Sequence, residues 1–158
     1  MTRIRQYSPL SMVVMIVALV AIVMGAFFIV QGVTKADWMS EAMRQEQITL
    51  GLDETAIANG ELVDSAGEAQ AAGDTIREHR RTIAPTYDEL LGGGGYNASN
   101  PDHLIYAQAL NMENYLYLGV LGFGVTDIAL ASGAFMVAMG IALGAIAIAL
   151  FRRKKTVS

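Results

Sequence analysis

The chain contains no cysteine. Disulfides, thiolate nucleophiles, Cys-bound zinc and Cys-ligated clusters are therefore excluded. Histidine is nearly absent as well, with His79 and His103 the only two. Acidic residues are missing from both ends: all 15 lie in the stretch from Lys35 to Asp127, against five basic ones there, Lys35, Arg44, Arg77, Arg80 and Arg81. That stretch carries a net charge of −10, and the six basic residues outside it have no acidic neighbour. A surface so acidic repels phosphates, so nucleic acid is not an expected partner.

What the chain does have is two long uncharged apolar runs. The second, Ile128 to Phe151, is 24 residues without a charge. A helix of that length covers roughly 36 Å, enough to cross a hydrocarbon core of about 30 Å. Asp127 closes one end, and Arg152, Arg153, Lys154 and Lys155 close the other. Charges gather where an apolar span meets water, because a charge at mid-bilayer costs several kcal/mol. The first run, Met12 to Val30, follows Arg3 and Arg5. It could be the core of a signal peptide, but it is long for one and lacks a clean small-x-small cleavage site. The reading adopted is an uncleaved helix.

The expected architecture is an all-α membrane protein, a two-transmembrane-helix hairpin with a mainly helical extracytoplasmic domain. The expected bounds are a cytoplasmic tail 1–10, span 11–33, outer domain 34–126, span 127–151 and a basic cytoplasmic tail 152–158. Flanking Lys and Arg stay inside, so both tails are expected in the cytoplasm of a cell-membrane protein. Trp38 falls where indole favours the outer headgroups. With Asp127, Arg152, Arg153, Lys154 and Lys155 it marks the expected membrane boundaries.

Local signals fill in the rest. Ser8-Pro9 reads as a helix cap with proline at the first position. Thr34 to Gln47 reads as a helix leaving the membrane, Ile48 to Leu52 as extended or irregular, and Asp53 to Gly60 as a turn region. Asp64 to Ile83 reads as a helix capped by Asp64 or Ser65, with Glu68 in its first turn and a stripe of Ala66, Ala69, Gly73, Ile76 and Ile83. Pro85 ends it. Thr86 to Glu89 has capping-box spacing before a short helix Tyr87 to Leu91. Asn100-Pro101 opens a helix that runs toward the membrane, with Ile105, Ala109, Met112 and Leu116 on one face. Gly119, Gly122 and Gly124 weaken it and suggest a kink or a close contact.

In the second span Ala129, Gly133, Gly140 and Gly144 form a small-residue face, with Gly140 and Gly144 in small-x-x-x-small spacing. Such faces let helices approach in lipid, within a chain or with a partner.

The polar candidates read blandly. His79 and His103, with Glu78, Asp102 or Glu113, are the only metal-site candidates, but no spacing matches a helical ligand pair. Both histidines are expected at the surface. Arg77, His79, Arg80 and Arg81 form a basic cluster expected to pair with nearby acids, Asp74 with Arg77 for example, as a solvated face. Gly92 to Gly95 lacks a phosphate-loop frame and reads as a tether. Asn97-Ala-Ser99 fits a glycosylation sequon, which matters only in a eukaryotic secretory pathway. Asp127 deep in a bilayer would be an ion-site candidate; at the boundary it is an ordinary flanking charge.

Four stretches, EAMRQEQITL (Glu41 to Leu50), VDSAGEAQAAGDTIREH (Val63 to His79), TYDEL (Thr86 to Leu90) and NMENYLYLGVLGFGVTD (Asn111 to Asp127), together resemble a group of small two-span bacterial membrane proteins of actinobacterial type. The resemblance implies the same layout. Members of that group are often labelled aromatic-ring-opening dioxygenases, which implies a non-haem iron held by two histidines and a carboxylate. In this chain that would require both His79 and His103.

The functional expectation is a non-catalytic structural or accessory subunit without cofactor or metal. Its expected partners are the lipid bilayer and, by helix packing, copies of itself or a larger membrane complex. The alternatives are an extracytoplasmic sensor or ligand-binding module, for which the seven residues after Phe151 would be no output domain, and the iron enzyme of the label.

Overall fold

The computed structural model describes residues 9–156, with side chains from Pro9 to Arg152. Arg3, Arg5, the Ser8 cap and the side chains of Arg153, Lys154 and Lys155 lie outside the described residues. Five helices follow in order: α1 (Pro9–Gln45), α2 (Glu54–Ala58), α3 (Ala66–Ile83), α4 (Tyr87–Leu91) and α5 (Pro101–Thr156). No strand occurs among the described residues. Both α1 and α5 are long and apolar enough to cross a membrane.

Each short element is set by local chemistry. Helix α1 ends in a turn at Gln47, which takes φ 52°. The segment expected as a plain turn holds α2, because the Asp53 side chain accepts from the Ala56 N–H at 2.8 Å and caps one helical turn. Helix α3 starts at Ala66, two residues later than expected. Ser65 accepts from the Glu68 N–H, and the Glu68 carboxylate accepts from the Ser65 N–H at 3.0 Å. This reciprocal cap satisfies donors that the first turn leaves free. The Thr86 hydroxyl accepts from the Glu89 N–H at 3.2 Å and caps α4, and Gly92 closes it in the left-handed conformation. Asn100 accepts from the Asp102 N–H at 3.0 Å and opens α5. From Pro101 onward α5 is unbroken through Gly119, Gly122 and Gly124.

The chain divides into two compact units. One consists of the chain up to Thr34 and from Thr126 onward; the other is Lys35–Val125. In the first unit α1 and α5 run antiparallel and touch through small residues. Added Cβ atoms measure how close they come. One on Gly25 would stand 2.6 Å from the Gly133 carbonyl oxygen, and one on Gly133 would stand 2.7 Å from the Gly25 oxygen. One on Gly140 would meet the Ala18 oxygen at 2.8 Å, and one on Gly32 the Thr126 oxygen at 3.2 Å. These obstacles are backbone atoms, so they cannot swing aside. The buried positions on α1 are Ser11, Ala18, Gly25 and Gly32. On α5 they are Thr126, Gly133, Gly140 and Ala147. Both sets step by seven residues, the spacing of left-handed helix pairing.

The second unit has a small core of Val63, Ala69, Ala72, Ile76 and Leu116, flanked by Met43, Ile48, Leu50, Leu52, Ala109 and Val120. The Val63 N–H donates to the Ile48 carbonyl at 2.8 Å and ties the two loop segments together. Gly73 admits the Tyr117 ring, which an added Cβ would meet at 2.9 Å. Gly119 and Gly122 admit the side chains of Met43 and Met39. Gly119 and Gly122, expected to weaken α5, thus serve as seats for α1 side chains, whereas Gly124 meets nothing. Ala109 and Leu116 face the core as expected, whereas Ile105 and Met112 are half exposed.

Candidate functional site: a buried ion network and an apolar groove

The most polar interior feature is built from α3 and α5 in the Lys35–Val125 unit. The α3 stripe runs Ala69, Ala72, Gly73, Ile76 and on to Arg80, all buried. Arg80 continues the apolar face because it lies one turn beyond Ile76. Its charge is met from α5, where Tyr106 and Glu113 are buried seven residues apart on one face. The Glu113 carboxylate accepts from Arg80 Nε at 2.8 Å and from Arg77 Nε at 3.0 Å, one through each oxygen. Arg80 also donates to the Tyr106 hydroxyl and lies over the Tyr106 ring, 4.7 Å from its centroid. Arg77 covers the Tyr117 ring at 4.6 Å and pairs with Asp74 at 3.3 Å. The Tyr117 hydroxyl donates to Asp74 at 2.7 Å.

Two cations, two carboxylates and two phenols therefore satisfy one another. No buried side-chain polar atom among the described residues lacks a partner. Burial pushes the Glu113 carboxyl up, but the hydrogen bonds and charges of Arg80 and Arg77 outweigh it and leave it below its ordinary value. Burial and donation to Asp74 push the Tyr117 phenol up to about 12. The Tyr117 and Gln70 hydrogen bonds hold Asp74 below the usual carboxylate range. Such a closed network fixes helix register. It offers no free general acid or base.

This corrects two expectations. The Arg77–Asp74 pair is present, but Arg80 is not part of a solvated face; it is buried against Glu113. Nor is His103 at the surface. It is buried, its Nδ1 accepts from the Asn97 N–H at 3.1 Å, and its ring lies 5.8 Å from that of Tyr96. The segment after the four glycines is therefore pinned at Tyr96 and Asn97. His79 is exposed.

The iron of the dioxygenase label does not fit these side chains. His103 already spends one ring nitrogen on a backbone N–H, Glu113 is held by two arginines, and His79 stands in a basic turn. No group of three metal-ligating residues occurs among the described ones.

The other expected site residues fall as follows. Gly133 and Gly140 are buried against α1, while Ala129 and Gly144 are half buried. Gly144 is looser than Gly140, with the Ala18 Cβ 3.9 Å from where its own Cβ would be. Trp38 is 66% exposed, with Lys35 Nζ 5.9 Å from the ring centroid. Asp127 and Arg152 are exposed.

A feature that sequence reading missed is a groove of about 610 Å³ in the same unit. Its walls are Ala42 and Met43 of α1, Glu46 in the turn after it, Ile48, and Gln108, Asn111, Met112, Tyr115 and Leu116 of α5. Residues 108, 111, 112 and 115 have one-face helical spacing, which was readable, but nothing in the sequence says α1 lies opposite.

No family model, no curated protein and no solved structure matches this chain.

Proposed function

We propose that this chain is a non-catalytic integral membrane protein of the two-span bacterial type its sequence resembles. Two antiparallel spans carry an acidic helical domain outside the cell, both tails lie in the cytoplasm, and the protein serves as a structural or accessory subunit. The observation that carries the membrane reading is the inversion of the first unit. Its small residues are inside, while Leu10, Val13, Leu19, Val23, Phe27, Ile128, Phe135, Ile141 and Ile146 are exposed along its length. Water would not tolerate that much exposed apolar surface, whereas lipid favours it. The self-satisfied ion network supports the non-catalytic part.

The packing also bears on partners. Gly25, Gly133 and Gly140 are consumed by contact within the chain. An assembly partner therefore meets the large side chains of the spans or the surface of Lys35–Val125, not the glycine seam.

Because the chain has no native cysteine, single cysteines report topology directly. Thr82→Cys and Ser99→Cys are expected to react with an impermeant maleimide on intact cells, and Thr2→Cys only after permeabilisation. The reverse pattern refutes the orientation, and recovery of the chain free of membranes refutes the whole reading. For the accessory role, a partner is expected to copurify in mild detergent at native expression; a lone monomer refutes it.

A further inference from the structure

The groove between the end of α1 and the first part of α5 has an unusual polar lining. Its floor is apolar: Met43, Ile48, Met112 and Leu116, with the Tyr115 ring at one side. Three polar side chains line the same space, Glu46 from the turn after α1 and Gln108 and Asn111 from α5. None of these three makes a hydrogen bond or ion pair to another described residue. Three arginines of this unit already have carboxylate partners, Arg44 with Asp64, Arg77 with Asp74 and Glu113, and Arg80 with Glu113, and none of them reaches Glu46. Glu46 is the only acidic residue lining the groove, and no basic residue lines it.

We propose that this groove binds an amphiphilic amine. Its volume lies within the roughly 300–1,000 Å³ of small-molecule sites, which combine apolar walls with a few polar groups that fix orientation. An apolar body fills the space along Met43, Ile48, Met112 and Leu116. The thioethers adapt to its shape, and the Tyr115 ring covers one side. The protonated nitrogen meets the Glu46 carboxylate, and the carboxamide oxygens of Gln108 and Asn111 accept its remaining N–H bonds. An anionic amphiphile is disfavoured, since nothing in the lining answers its charge and the acidic excess between Asp37 and Asp127 repels it. The proposal does not depend on which side of a membrane the groove faces.

The test uses the full chain in nanodiscs of zwitterionic lipid, with empty nanodiscs as reference. Three probes of one shape are titrated by calorimetry: 4-phenylbutylamine, 4-phenylbutan-1-ol and 4-phenylbutyrate. The amine is expected to bind about fivefold more tightly than the alcohol, the size of one partly exposed ion pair, and the acid least. Glu46→Gln is expected to bring amine and alcohol within twofold. Met112→Trp, at a half-exposed position, fills the groove and is expected to abolish binding of all three while leaving thermal unfolding unchanged. Amine binding no greater than to empty nanodiscs overturns the proposal. So does an alcohol or acid that matches the amine, or an amine preference that survives Glu46→Gln. A Met112→Trp variant that changes particle mass while no probe binds would assign the groove to a second protein chain instead, and would equally overturn it.

Discussion

The two units of this protein bury opposite kinds of side chain. Between the N-terminal half of α1 and the C-terminal half of α5, glycine and alanine lie inside and the large aliphatics lie outside. In Lys35–Val125 the interior holds Val63, Ile76 and Leu116, with Tyr106, Arg80 and Glu113 at one side. One chain thus follows two rules, and the proposed membrane placement of the first unit would account for the difference. In lipid, large apolar side chains gain nothing by leaving the surface, so close backbone contact holds the helices together. In water, burial of apolar area is the driving term, and a buried ion is tolerated only when fully paired. An uncharged helix pair with small residues inside is the counterpart of a charged domain with its arginine inside.

Giving the small seam a side chain should do the most damage. Gly133→Leu places atoms against the Gly25 backbone, which cannot move aside. Loss of the α1–α5 pairing is expected, read as aggregation or proteolytic degradation of the chain. The same substitution at Gly124, where an added Cβ meets nothing, is expected to be harmless. Next in size is Glu113→Ala, which leaves Arg80 buried without its carboxylate. Breaking a buried pair costs about 3–5 kcal/mol, and unfolding of the Lys35–Val125 unit at correspondingly lower denaturant is expected.

Acid should weaken the same unit. The Glu113 carboxyl is held below its ordinary value in the fold, so its contribution is fully present above the unfolded value of about 4.3 and disappears as pH falls through the folded value. A fall in melting temperature below about pH 4 is expected, and Glu113→Gln should flatten it. The smallest effect belongs to the α3 cap: Ser65→Ala is expected to cost about 1 kcal/mol, with no change in the span unit.

How much of this could be read in the sequence differs between the units in the same way. The two long apolar helices were visible because a run of 24 uncharged residues needs no partner to be noticed. So were the Ser65–Glu68 cap and the short helix after Thr86, which are local. The seam was misread in part. Gly140 and Gly144 suggested a four-residue spacing, whereas the buried positions step by seven through Gly133 and Gly140. The matching Ser11, Ala18, Gly25 and Gly32 series on α1 was present to be counted. The ion network was not legible, because Arg80 and Glu113 are 33 residues apart and their pairing depends on how α3 lies along α5. The only local hint was that Arg80 falls one turn after Ile76. His103 was missed for a similar reason, since its acceptor role depends on the path of the loop before Pro101.

The two long helices are joined to each other within one chain through their smallest residues. Ala18→Cys with Gly144→Cys tests this directly, because their Cβ atoms would stand 3.9 Å apart, within the range of a disulfide. Oxidation in native membranes should give an internal crosslink in a monomer-sized band. A crosslink found only between chains, or none while both cysteines remain reactive after denaturation, would contradict the seam.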